Sequence, residues 1–168
     1  RGVDTIRQLG LPGVDPVAEA AQVTQDEIDD IEGVMPIPGA IEFVKSLPAD
    51  RWAIVTSSPI RLAKARMAAA GLPQPQFIVT AEDVSRGKPS PECYLLGAER
   101  VGFDAKDCLV FEDVAAGVIA GESAGSDVMV ITATHTHHFE TSHQTIPGYI
   151  GIEVSVDENG DLTLTDRR

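Results

Sequence analysis

An α/β fold, with a parallel sheet and helices on its faces, is what the sequence predicts, and two observations carry that expectation. From about Ala40 onward, apolar runs of strand length alternate with amphipathic stretches of helix length. This is the rhythm of parallel strands joined by right-handed crossovers. Thr56 and the pair Glu112-Asp113 each fall at the carboxyl end of such a run, which is where open parallel sheets bind their ligands.

The elements follow in order. Residues 14–32 read as one acidic helix with a thin apolar stripe. Thr24 and Glu27 match a capping box, which would start a second helix there, but no Gly or Pro interrupts the stretch, so a continuous helix is expected. Met35-Pro36-Ile37-Pro38-Gly39 is then a stiff linker between two bodies. Residues 52–56 read as a strand, 60–70 as a helix closed by Gly71, 77–80 as a short strand, and 91–101 as a helix stopped by Gly102. Strand 108–111, helix 115–124 and strand 128–131 complete the alternation. His135, His137, His138 and His143, with Glu140, then lie in a Thr/Ser-rich stretch. They lack a structural zinc spacing and have no cysteine nearby, so a loop at the sheet rim is expected, close enough to the strand ends to touch a substrate. Residues 152–156 and 162–164 alternate apolar and polar around Asp157-Glu158-Asn159-Gly160-Asp161. Asn-Gly between such runs marks a hairpin turn. As a calcium loop the string fails, because its glycine stands fourth and not sixth.

Composition narrows the possible partners. The 168 residues suffice for one domain with a core. No apolar run approaches the roughly 18 residues of a membrane span, and no basic segment followed by an apolar one suggests secretion. A cytoplasmic monomer or weak dimer without a membrane partner is therefore expected. The net charge of −13 argues against nucleic acid. A phosphorylated small molecule remains compatible, since it needs only local positive charge. Cys93 and Cys108 are isolated and read as buried reduced thiols.

Three segments carry chemistry. Thr56 is followed by Ser57-Ser58-Pro59. This reads as an ordinary helix cap, and it equally offers a hydroxyl and free backbone N–H groups to a phosphate. Lys88 lies in Arg86-Gly87-Lys88-Pro89-Ser90-Pro91. Most loop lysines are solvated, but here Gly87 permits an unusual backbone and Pro89 fixes the next residue, so a stiff loop aims the ammonium. A fixed cation is what a transferring phosphoryl group needs. Glu112-Asp113 ends an apolar strand. Asp113 as a helix cap is the plain reading. Adjacent carboxylates repel unless a cation joins them, however, and Mg²⁺ prefers oxygen ligands. Small residues at 117, 120, 121, 124 and 125 let the following helix pack close to the sheet.

The order and spacing of these segments resemble the haloacid dehalogenase (HAD) superfamily of phosphohydrolases, in its branch with a helical cap. The likeness runs from Arg1 almost to the end and looks closest to sugar-phosphate and glycerol-phosphate phosphatases. It implies a Rossmann-like core over residues 36–168 and, over 1–35, the C-terminal part of an inserted helical cap. It further implies Mg²⁺-dependent hydrolysis of a phosphate monoester of a small metabolite, a sugar or polyol phosphate. Thr56 would donate to a phosphoryl oxygen with help from the Ser57 amide, Lys88 would neutralise phosphoryl charge, and Glu112 and Asp113 would hold Mg²⁺. Thr80-Ala81-Glu82-Asp83 ahead of the lysine loop fits the same pattern, and the Lys88–Pro89 bond is expected to be cis.

The chain departs from that family in two ways. The family opens with a strand ending in Asp-x-Asp-Gly-Thr, whose first Asp attacks phosphorus, and no such string precedes Thr56. In the resembled fold this strand is central, between strands 52–56 and 108–111. Without it, buried ladder groups lose partners at roughly 1–3 kcal/mol each, so residues 1–168 are expected to be neither an autonomous domain nor a complete catalyst. The family's cap turn often reads His-Gly, whereas Arg1-Gly2-Val3-Asp4 stands here, so no cap contact to substrate is carried over. A phosphosugar mutase of the same fold is the near alternative. A non-catalytic binding module that has lost its nucleophile is the alternative from another class, and the intact Lys88 and Glu112-Asp113 count against it.

Overall fold

Each expected strand and helix of the α/β alternation forms in the computed structural model, which describes residues 2–137, 140–158 and 160–168. Two helices come first, α1 (Gly2–Leu9) and α2 (Pro16–Asp29). The Asp15 carboxylate accepts Val17 N–H at 2.9 Å and Pro16 occupies the first turn, so α2 starts on an acidic cap. It runs unbroken past Thr24, supported by Gln22–Asp26 and Gln25–Asp29 side-chain bonds at 2.7 and 2.8 Å. Residues 2–4, expected in a turn, belong to α1. Neither helix buries a residue.

The linker ends in α3 (Ala40–Ser46), whose cap is Gly39 at φ +80°. A Cβ at Gly39 would stand 2.4 Å from the Ile150 nitrogen, so a later segment lies directly on this turn. Pro38 O accepts Tyr149 N–H at 2.7 Å there. Strand β1 (Ala53–Val55), helix α4 (Ile60–Ala69) and strand β2 (Phe77–Val79) form one βαβ unit, with β1 and β2 parallel in register Val55 to Val79. Helix α5 (Glu92–Val101) follows, and a 3₁₀ turn at Ala105–Asp107 leads to the second unit. That unit comprises β3 (Leu109–Glu112), α6 (Ala115–Ala124) and β4 (Asp127–Ile131), parallel in register Glu112 to Val130. Strand β5 (Gln144–Ile146) adds in parallel to β4. The stretch after β4, expected wholly as a loop, therefore returns to the sheet. The hairpin of β6 (Ile152–Val156) and β7 (Leu162–Asp166) forms as expected, and Asn159 of its turn lies outside the described residues.

The parallel sheet is in two pieces, β1-β2 and β3-β4-β5, and among the described residues no strand pairs with the inner edges of β1 and β3. The consequence shows in burial. Val79 and Val130 are fully buried, while every residue of β1 is only half-buried. Helix α5 spans the break: Gly97 packs against Val55, and Tyr94 joins Val79, Val110, Val118 and Val130 in one apolar cluster. Cys93 is buried and Cys108 partly so, both as free thiols. No described helix is long and apolar enough to cross a membrane.

Candidate active site

The close approach of α6 to β3 creates the centre of the site. The Gly117 position lies so near the Glu112 carboxylate that a Cβ would fall 2.0 Å from its Oε1, and Gly121 likewise faces Val128 and Val110. Glu112, only 5 % exposed, is thereby pressed under the start of α6. Its Oε2 accepts the Asp113 and Val114 N–H groups at 3.0 and 3.3 Å. Its Oε1 accepts the Tyr94 hydroxyl at 2.5 Å and the Lys88 ammonium. Burial pushes the Glu112 carboxyl upward, but the Lys88 charge and these hydrogen bonds outweigh it and hold the group below the usual range.

Lys88 arrives on the expected stiff loop, with the Lys88–Pro89 bond cis. Its side chain is 12 % exposed, and the ammonium lies 4.9 Å from the centre of the Tyr94 ring. The loop is tied down from α5: Glu92 accepts Ser85 N–H at 2.6 Å, Arg86 N–H at 3.0 Å and the Ser85 hydroxyl. Those backbone bonds hold the Glu92 carboxyl below its ordinary range.

Asp113 sits beside Glu112, half-exposed. Its Oδ2 accepts the Thr134 hydroxyl at 3.2 Å, and His135 Nε2 donates to its carbonyl at 2.5 Å. The histidine stretch thus reaches the site through backbone and hydroxyl contacts with Asp113. His143 instead pairs with Glu122 at 2.7 Å, and His138 lies outside the described residues.

Thr56 and Ser57 stand at the carboxyl end of β1, on the other piece of the sheet. Thr56 N–H bonds to Val79 O at 2.9 Å and its hydroxyl oxygen accepts Ser58 N–H at 3.1 Å, a local turn; Thr56 does not cap α4 as the plain reading expected, because the cap position is Pro59. Glu82 closes the adjacent helix start, accepting Ile60 N–H at 3.1 Å. Thr80 is buried and donates to Asp83, which Arg100 also grips at 2.6 Å. The Arg100 hydrogen bond leads the causes that lower the Asp83 carboxyl to about 2.

The structure therefore brings Lys88 and Glu112 together beside Asp113, and it places Thr56 and Ser57 at the end of β1, on the other piece of the sheet. Two apolar hollows, of about 680 and 340 Å³, lie elsewhere, one between α3 and β6 and one beneath the β6–β7 hairpin. The all-oxygen chemistry of Asp113 suits a hard cation such as Mg²⁺. Among the described residues no group of three metal-ligating side chains assembles, and both Glu112 oxygens are already engaged. Sequence reasoning missed Tyr94, Glu92 and Thr134. Only Tyr94 gave a signal, as a polar aromatic on the inner face of a helix that follows the lysine loop.

The sequence profile of the haloacid dehalogenase-like hydrolases matches residues 5–125. Hexitol phosphatase A of Escherichia coli is 38 % identical over 92 % of this chain and 73 % of its own length. Glycerol-1-phosphate phosphohydrolase 1 of Saccharomyces cerevisiae is 33 % identical over 71 % of this chain and 56 % of its own. In fold, a HAD hydrolase of family IA from Entamoeba histolytica superposes with a TM-score of 0.72 at 20 % identity, covering 91 % of this chain and 75 % of that one.

Proposed function

The chain belongs to the haloacid dehalogenase-like hydrolases, and from that premise we propose that it hydrolyses the phosphate monoester of a small sugar or polyol. The observation that carries this reading is the buried Lys88–Glu112 pair at the carboxyl end of β3, held by five separate contacts. A lysine that served only solubility would stay in water. The names of the hexitol and glycerol-1-phosphate relatives support the substrate class.

In this reading Lys88 spends one donor on Glu112 and offers the others to phosphoryl oxygens, where a preorganised cation offsets charge as it develops. The Thr56 hydroxyl donates to a second phosphoryl oxygen, with the Ser57 amide beside it. Asp113 holds Mg²⁺, steadied by Thr134 and His135, and Glu112 serves the metal site through its hold on Lys88 and the Asp113 amide. Mg²⁺ at this place supplies charge neutralisation for the phosphoryl group. None of these side chains is free to attack phosphorus. The attacking carboxylate would lie on a strand between β1 and β3: it displaces the sugar or polyol oxygen, which leaves with a proton from a second carboxyl group of that strand, and water then cleaves the aspartyl-phosphate to release phosphate and free the carboxylate. Helices α1 and α2, which pack on each other and, through Gln25 and Glu27, on Arg61 and Arg66 of α4, are the C-terminal part of a helical cap.

The test is direct. With p-nitrophenyl phosphate and Mg²⁺, the 168-residue polypeptide gives no turnover above buffer, whereas the protein carrying an Asp-x-Asp strand ahead of it gives activity that a chelator abolishes. Turnover by the 168 residues alone would overturn the assignment of the nucleophile. No turnover by the extended protein on any sugar or polyol phosphate would overturn the phosphatase reading.

A further inference from the structure

We propose that Tyr94 is a positioning residue for Lys88, holding the Lys88–Glu112 pair at the spacing that leaves the remaining ammonium donors turned toward a bound phosphoryl group. The proposal rests on the phosphatase reading and extends it to a residue outside the strand ends.

Glu112 Oε1 is shared between two donors, the Tyr94 hydroxyl at 2.5 Å and the Lys88 ammonium. Glu112 Oε2 is fixed by two backbone N–H groups, and Gly117 closes the space above the carboxylate. The carboxylate therefore has one orientation. The phenol decides how much of Oε1 remains for Lys88. The Tyr94 ring also lies under the ammonium, 4.9 Å from ring centre to Nζ, so the same side chain limits the lysine from a second direction.

Tyr94 stands in the first turn of α5, the helix whose Glu92 anchors the Lys88 loop. One helix thus fixes both the loop and the side chain. A tyrosine present only for packing would need some acceptor for its hydroxyl, and any backbone carbonyl would serve. This one uses the oxygen that Lys88 uses. Removing the hydroxyl leaves Lys88 as the sole partner of Oε1, so the pair tightens inward and competes with phosphate for the ammonium.

The experiment uses the full-length protein and inorganic phosphate as probe, with binding measured by calorimetry. Tyr94→Phe keeps the ring and is expected to weaken phosphate binding roughly tenfold, the loss of about one charge-assisted hydrogen bond's worth of alignment, while the thermal midpoint moves by only a few degrees. Fluorotyrosine placed at position 94 is expected to show a fluorine resonance that moves when phosphate is added, and that stays still in the Lys88→Ala background. A structural role would give neither result. Phosphate binding by Tyr94→Phe within twofold of the unsubstituted protein, or a resonance unmoved at saturating phosphate, overturns the proposal and leaves the phosphatase reading standing. Failure of the unsubstituted protein to bind phosphate overturns that reading and the proposal with it.

Discussion

Replacing Gly117 by alanine sets one methyl group against the Glu112 carboxylate, 2.0 Å from its Cδ and Oε1 and 2.4 Å from Oε2. The methyl has nowhere else to go, because Gly117 is in the first turn of α6 and its backbone is bonded to Val114 O. Helix propensity alone would favour alanine by about 1 kcal/mol. Against that stands the displacement of a carboxylate bound to Lys88, Tyr94 and two backbone N–H groups, where a single hydrogen bond to a charged group is worth about 1.5–3 kcal/mol. Water recovers part of the loss, so a net destabilisation of about 2–5 kcal/mol is expected. Urea unfolding of Gly117→Ala measures it. The same substitution in a Glu112→Ala background separates the causes, because the obstructing carboxylate is gone and the methyl should then stabilise by about 1 kcal/mol. An unfolding midpoint for the single variant equal to or above that of the unsubstituted protein would refute the close packing of α6 on Glu112.

Two further outcomes are expected. The Asp83 carboxyl is held at about 2 by Arg100 and Thr80, below its ordinary 3.8. A depressed value contributes stability above the ordinary range that is lost as pH falls toward 2, so the stability difference between the unsubstituted protein and Asp83→Asn should shrink between pH 4 and 2. A difference constant with pH would refute the pairing. Gly39→Ala places a Cβ 2.4 Å from the Ile150 nitrogen at φ +80° and should cost about 2–5 kcal/mol. Gly102→Ala, at φ +82° with open space around it, should cost only about 1–2 kcal/mol, both variants being measured by urea unfolding. Equal losses would remove the Ile150 contact from the account.

The alternation of apolar runs and helices was legible because β1, β3, β4, α4, α5 and α6 obey local patterns: each strand is apolar and each of these helices ends near a glycine. Strand β5 was not legible, since Gln144-Thr145-Ile146 carries one buried apolar residue and owes its place to Met129, Val130 and Ile131 beside it. Lys88 and Glu112-Asp113 were legible as chemistry. Their division of labour was not, because the distance between Glu112 and Tyr94 depends on how α5 docks against β3, and no spacing in the chain records that. The roles of Thr134 and His135 on Asp113 depend in the same way on the return of the chain to β5.

The break between β1 and β3 bears on how the two halves are coupled. Each βαβ unit, β1-α4-β2 and β3-α6-β4, closes on itself through its own parallel pair. Among the described residues α5 reaches both, by Gly97 on Val55 and Tyr94 on Glu112, and α3 does so by Ile41 beside Gly71 and Phe43 on Phe111. A shift of α5 against either half would therefore be felt in the other. Because the Lys88 loop is tied to Glu92 at the start of that helix, the place of the ammonium beside Glu112 depends on how α5 sits against both halves.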